Sequence, residues 1–255
     1  MAQLRTDTPP ILYKLRGVDH FRRDVGDLLE NRQLYLARPS FLNDPYEFLP
    51  FVSVPPPSRR ERWIRAEVRN RPPGYPEREV RRRCMLLCTS PRHRQRFVEG
   101  MLDEHGVLCL SQPIESPVLW AHYASSHRGF AVGYRAQDDG VQEAVPAFPV
   151  LYGKRRVGMY AFGGPEPDWL RILRTKSKDW AYEREWRYVR LDNAGGPGLM
   201  DVPAGAIVEV RLGLRISKWH ADRLIAAARK LPDRPRILRA VRHPDTFELC
   251  FEEVD

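Results

Sequence analysis

The stretch from Lys176 to Tyr188, KSKDWAYEREWRY, constrains this chain more than any other. Glu183, Glu185, two lysines, two arginines and four large aromatics crowd into thirteen residues. Such a mixture needs an element with two unlike faces. Read as a strand, alternation puts Glu183, Glu185 and Arg187 on one face and Tyr182, Trp186 and Tyr188 on the other. The aromatic face then anchors in a core while an acid-x-acid-x-base row lines a cleft. Read as a helix, Glu183 and Arg187 become an i,i+4 ion pair worth only about 0.2–0.5 kcal/mol. The tail Trp186-Arg187-Tyr188-Val189 favours β structure, so the stretch is expected to be a loop entering a strand. A plainer reading stays open, in which Glu183 and Arg187 pair and merely hold the fold.

The 255 residues are 42% hydrophobic and 29% charged, enough apolar material for a proper core. No apolar run reaches the roughly 20 residues of a membrane span, and the first ten residues lack the apolar segment of a signal peptide. Cys84, Cys88, Cys109 and Cys250 match no zinc framework; Cys84, Cys88 and His93 would make only a partial site. The expectation is free thiols in a reducing cytoplasm, with no metal. Charge is unevenly placed. Ser58 to Arg96 holds thirteen Arg against four Glu, 13 − 4 = +9, equal to the net charge of the whole chain. Such a surface suits phosphate-bearing partners, here through Arg59, Arg62, Arg81, Arg82 and Arg83, unless it is simply a solvated helical face.

In chain order, strands are expected over Ile11–Arg16, Leu34–Ala37, Val107–Ser111, Phe130–Tyr134, Val150–Tyr152, Ala206–Leu212, Ile237–Val241 and Phe247–Phe251. Helices are expected over Asp19–Asn31, Arg59–Arg69, Glu77–Cys88, a piece around Phe97–Leu102, Trp169–Leu173 and two capped by Ser116 and Ser217. Asn43-Asp44-Pro45 reads as a turn, and a polar loop is expected around Ala136–Gly140. The fold class is thus α+β, a mixed or antiparallel sheet core. One domain is expected over 1–255: residues 11–51 and 106–255 form the core, and 52–105 are an arginine-rich helical insertion.

No Gly-x-Ser-x-Gly elbow, Walker loop, His-Glu-x-x-His or dinucleotide glycine fingerprint is present, which removes several large enzyme classes. The polar residues that remain are dispersed: Lys14 and Arg16, Asn43, Asp44 and Glu47, Ser111 and Gln112, His122, Tyr123 and His127, then Glu183, Glu185 and Arg187. Several blocks occur in order: Leu12-Tyr13-Lys14, Phe41-Leu42-Asn43-Asp44-Pro45-x-Glu47, Cys109-Leu110-Ser111, Trp120-Ala121-His122-Tyr123-Ala124, His127-x-Gly129 and Lys178-x-Trp180-x-x-Glu183-x-Glu185-x-Arg187. Together they resemble the bacterial domain of unknown function 2971 family over residues 11 to 250, a family whose name carries no activity. A more distant resemblance is to ADP-ribosyltransferases. These place a basic residue or His on an early strand, a Ser or Tyr on a middle strand and a Glu, often Glu-x-Glu, on a late one. Lys14 or Arg16, Ser111 and Glu183-Arg184-Glu185 follow that order. The chain departs from the pattern in having no early His and no Ser-Thr-Ser context around Ser111.

The second resemblance implies an ADP-ribosyltransferase-like sheet core. It also implies an NAD-dependent ADP-ribosyltransferase or NAD glycohydrolase, acting as a toxin or phage-defence effector. Glu185 and Glu183 would be catalytic; Lys14, Arg16, Ser111, Tyr123 and Arg187 would bind NAD; nucleic acid would be an acceptor for the basic segment to recruit. Two other readings stand beside it. One is a nuclease holding Mg²⁺ on Asp44, Glu47, Glu183 and Glu185 with Lys178 near the phosphate. The other is a non-catalytic module binding DNA or RNA through the arginine surface.

Overall fold

A computed structural model describes residues 9–136, 147–160 and 167–254. The chain runs β1 (Ile11–Arg16), α1 (Phe21–Val25), β2 (Gln33–Leu36), β3 (Phe51–Ser53), α2 (Pro57–Arg69), α3 (Glu77–Thr89), α4 (Pro91–Leu102) and β4 (Gly106–Leu110). It continues through α5 (Pro117–Tyr123), β5 (Phe130–Arg135), β6 (Phe148–Pro149), β7 (Leu151–Gly153), β8 (Gly158–Tyr160), α6 (Trp169–Arg174) and β9 (Thr175–Ser177). The last elements are β10 (Trp186–Arg190), β11 (Gly198–Asp201), β12 (Ile207–Leu212), α7 (Lys218–Lys230), β13 (Arg236–Arg242) and β14 (Leu249–Glu253). The fold is mixed α+β with a sheet of mixed orientation. Among the described residues, no helix is long and apolar enough to cross a membrane.

The chain gathers into two compact units. The first comprises residues 1–37, 106–150 and 181–255; the second comprises 38–105 and 151–180. The arginine-rich helices fall in the second unit, which also takes in the Asn43–Glu47 turn and the 151–180 segment.

In the first unit a five-stranded sheet has the order β1-β5-β12-β13-β14, and a three-stranded sheet the order β4-β10-β6. Only β12–β13 is a parallel pair in these two sheets. Period-two alternation in β1 sends Leu12 into a core with Phe21 of α1 and Leu224 of α7, while Tyr13 and Leu15 enter a second core with Leu119 and Trp120 of α5. Helices therefore cover both faces of the larger sheet. Helix α7 begins at Ser217, whose Oγ accepts from the His220 amide at 3.3 Å, and it buries Ala221, Leu224, Ala227 and Ala228 along one face.

The two sheets meet along one edge of β4. Val107 exchanges backbone hydrogen bonds with Ala37 just past β2 (2.8 and 2.9 Å), and Ser111 exchanges them with Tyr13 of β1 (2.9 and 3.1 Å). Between these bridges the Cys109 carbonyl accepts from the Lys14 side chain, Nζ to O 2.9 Å. A lysine thus stands in for a missing strand amide.

The second unit packs α2 and α3 around Trp63, Ile64, Val68, Cys84 and Cys88, alongside two short parallel pairs, β3–β8 and β7–β9. Burial pushes the Cys84 thiol up to about 11, as expected of an inert core cysteine.

Several local expectations change. The helix expected over Asp19–Asn31 is α-helical only to Val25 and continues as a π-helical turn over Gly26–Glu30. Ser116 sits at the start of α5, but its side chain makes no cap hydrogen bond. The last strand begins at Leu249 rather than Phe247, whose side chain lies in solvent. Past Ala136, the polar loop expected over 136–140 lies outside the described residues.

Candidate active site

The Lys176–Tyr188 stretch enters the first unit through a 3-10 segment over Lys178–Glu183 and becomes β10 at Trp186. Trp186 and Tyr188 pack on the core, as alternation requires. Glu183, however, is off the strand. Arg184 takes a left-handed backbone, φ 41°, and this kink breaks the alternation between the two acids.

Glu185 is 2% exposed and Arg187 0%. Arg187 donates from Nε to Glu185 Oε1 at 2.6 Å and from Nη2 to Oε2 at 3.1 Å, a two-pronged pair two residues apart on one face. Glu183, also buried, accepts from the Tyr123 hydroxyl on α5. The neighbouring Tyr182 hydroxyl lies 3.1 Å from His122 Nδ1, so the 3-10 segment docks on the end of α5 through two adjacent side chains.

Register aligns the site. β10 pairs antiparallel with β4, Trp186 opposite Leu110 and Arg187 opposite Cys109, so the next step sets Glu185 opposite Ser111. Ser111 bridges to Tyr13, Tyr13 pairs with Gly133, and Gly133 with Glu209. One cross-strand row therefore runs Glu185, Ser111, Tyr13, Gly133, Glu209. Directly opposed residues share a face, so Ser111 and Glu185 lie on the side to which Tyr13 points.

Lys14 lies at the seam, half-buried. Burial, and after it the nearby Arg16, pulls its amine down to about 8, while Glu185 is among the charges acting the other way. Arg16 takes a different course: its Nε is 3.8 Å from Asp24 of α1 and has no hydrogen-bond partner among the described residues. The structure thus brings Lys14, Ser111, Glu185 and Arg187 to adjoining strands and ties Glu183 to Tyr123. Arg16 shares a strand with Lys14 but turns toward α1.

The row ends in a second charged cluster that the sequence reading passed over. Glu209 Oε2 accepts from the Tyr13 hydroxyl and from Arg211 Nε, both at 2.8 Å, and Arg211 Nη2 donates to the same hydroxyl at 2.7 Å. The Arg211 guanidinium also lies 4.7 Å from the Tyr13 ring centroid and 4.2 Å from that of Phe251. Burial is the main cause that raises the Tyr13 phenol pKa, with Arg211 opposing it. Tyr13 reaches Glu209 by lying across Gly133, where a Cβ would stand 2.9 Å from its ring. The available signal was Glu209-Val210-Arg211, two charges flanking a buried valine in a strand.

A second strained element borders the end of β1. Ser125, Ser126 and His127 are all left-handed, φ 45°, 56° and 70°, and turn the chain back over α5. Ser126 and His127 amides donate to the carbonyls of Ala121 and Trp120. Gly129 follows because a Cβ there would lie 2.0 Å from the Arg16 carbonyl oxygen.

In the second unit, Asp44 accepts from the Tyr46 amide at 2.9 Å, the turn role its composition suggests, and Glu47 lies 3.6 Å from buried Lys176. Among the described residues no three His, Cys, Asp or Glu side chains are grouped to hold a metal ion. On the basic helices, Arg81 bridges Glu61 and Glu77, Arg82 pairs with Glu79 and Arg83 lies over Phe97, whereas Arg59 and Arg62 are exposed. No family model, curated protein or solved structure matches the chain.

Proposed function

We propose that the first unit is an NAD-dependent ADP-ribosyltransferase or NAD glycohydrolase of the toxin or phage-defence kind. The supporting observation is that β1, β4 and β10 lie side by side, so that Ser111 stands opposite Glu185 in register and the Lys14 amine reaches the Cys109 carbonyl at the same seam. The motif order that resembles the ADP-ribosyltransferases points the same way.

Cleaving the bond between nicotinamide and ribose builds positive charge on the ribose, and the leaving nicotinamide takes the bonding electron pair. Glu185, its carboxylate oriented by Arg187, accepts from a ribose hydroxyl and stabilises that charge. Lys14, where protonated, offers a cation for the pyrophosphate, and Ser111 braces the ribose. Glu183, positioned by Tyr123, takes the proton of the attacking hydroxyl or water. Exposed Arg59 and Arg62 supply a surface for an acceptor that carries phosphate.

Incubation with NAD labelled on both halves tests this reading. Nicotinamide release or label transfer is expected, reduced about tenfold by Ser111→Ala and about 10²–10³-fold by Glu185→Gln. Ser111→Ala leaves the backbone bridge to Tyr13 in place, so its loss of activity separates chemistry from folding. Wild-type protein that neither releases nicotinamide nor transfers label overturns the proposal.

A further inference from the structure

The second unit holds two adjoining cavities, about 440 and 270 Å³, with Gly153, Arg155, Arg156, Val157 and Thr175 common to both. Strand β7 runs straight into Lys154-Arg155-Arg156, which with Val157 form the connection to β8. Arg171 of α6 enters the larger cavity and Lys176 of β9 the smaller. Among the described residues, five cations therefore line this space against one carboxylate, Asp168. That carboxylate is committed locally, accepting from the Arg171 amide at 3.0 Å as the cap of α6. Lys176 lies 3.6 Å from Glu47. Among the described residues no carboxylate forms an ion pair with Lys154, Arg155, Arg156 or Arg171.

Guanidinium groups that line one cavity repel one another, and an anion relieves that repulsion. Aromatic rings stand beside them. Tyr46, 63% exposed, borders the smaller cavity with the Arg156 guanidinium 5.7 Å from its ring, and Tyr160, 53% exposed, borders the larger. Phosphate-seeking arginines next to open aromatic faces are the combination that holds a nucleotide, with the charge on the phosphate and the ring under the base. Each volume is of the order of a small-ligand site.

We propose that this double cavity binds a nucleotide, its phosphate on Arg155, Arg156 and Arg171 and its base stacked on Tyr46. The nucleotide is either free or part of a single-stranded nucleic acid. The site lies wholly in the second unit and does not depend on Glu185. Its readout is binding, so it stands or falls separately from NAD turnover.

The experiment uses full-length protein with two probes, a fluorescein-labelled twelve-nucleotide oligo(dT) followed by anisotropy and ATP followed by calorimetry. Binding of at least one probe is expected. Arg155→Ala/Arg156→Ala should weaken it about tenfold or more at an unchanged melting temperature, and Tyr46→Leu about fivefold. For the oligonucleotide, log affinity should fall with log salt at a slope of about −0.7 per phosphate contacted. Oligonucleotide binding that millimolar ATP does not displace assigns the site to a strand; ATP binding alone assigns it to free nucleotide. Failure of both probes to bind overturns the proposal. So does binding that the double variant and Arg171→Ala leave unchanged, or binding lost only in Arg59→Ala/Arg62→Ala, which would put the contact on α2.

Discussion

In the first unit a glutamate and an arginine flank an apolar residue twice, Glu185-Trp186-Arg187 and Glu209-Val210-Arg211. In both, the arginine Nε donates to the glutamate two residues earlier, at 2.6 and 2.8 Å. The two glutamates stand in one cross-strand row, with three strands between them. Their surroundings differ. Glu185 and Arg187 are closed off from solvent in a two-pronged bond. Glu209 is shared among the Tyr13 hydroxyl, Arg211 and Arg236, and Arg211 in turn reaches toward half-exposed Glu115. An acid-x-base pair on a strand is thus a local habit of geometry, and what each copy is worth depends on what surrounds it.

The largest expected effect follows from breaking the closed copy. Arg187→Met withdraws a guanidinium from a buried carboxylate and should cost about 3–5 kcal/mol in urea unfolding. Adding Glu185→Leu should return most of that loss; a single variant within about 1 kcal/mol of wild type would erase the contrast between the copies. Arg211→Met should cost less, about 1.5–3 kcal/mol, because Tyr13 and Arg236 still serve Glu209. The Arg187 and Arg211 losses, measured together, should add, since three strands stand between the two pairs.

Lys14 sharpens the comparison through pH, because Glu185, and not Glu209, is among the charges acting on it. Its amine titrates near 8 in the folded protein and at the ordinary 10.5 when unfolded. Between those values the unfolded chain holds the extra proton, so stability should climb as pH rises from 8 toward 10.5. Denaturant midpoints at steps across that range, against Lys14→Met, measure it; the variant should lack this rise. The smallest effect belongs to the exposed helical network of the second unit. Glu61→Gln should shift the melting temperature only slightly, and less in high salt, as thermal melts at two ionic strengths would show.

How much of this could be read from the chain differs by element. The aromatic face of β10 was legible because Trp186 and Tyr188 keep the strand period, and helices α2 and α3 because their apolar residues keep the helical one. The division of Glu183 from Glu185 was not, since it hangs on one left-handed residue, Arg184, whose type gives no warning. The Glu209 cluster was hidden inside an apolar strand; its partner Tyr13 is 196 residues away. Of the two parallel pairs β3–β8 and β7–β9, β7 overlaps the strand expected over Val150–Tyr152, while β3, β8 and β9 are three residues long, too short for any periodicity to register. The extent of the second unit was equally out of reach, because contacts between segments remote in sequence set it. Of the candidate site, the residue types and their order were legible; which strands stood next to one another was not.

One consequence follows from the Lys14–Cys109 contact. An unpaired strand border is an invitation to foreign strands, because its vacant carbonyls accept from any amide that arrives. Here the vacancy between Val107 and Ser111 is filled by a flexible amine rooted in the same chain. Intruders meet an acceptor already occupied and a polar head instead of a flat apolar margin, and the two sheets gain a joint that a single rotamer change could unfasten and refasten.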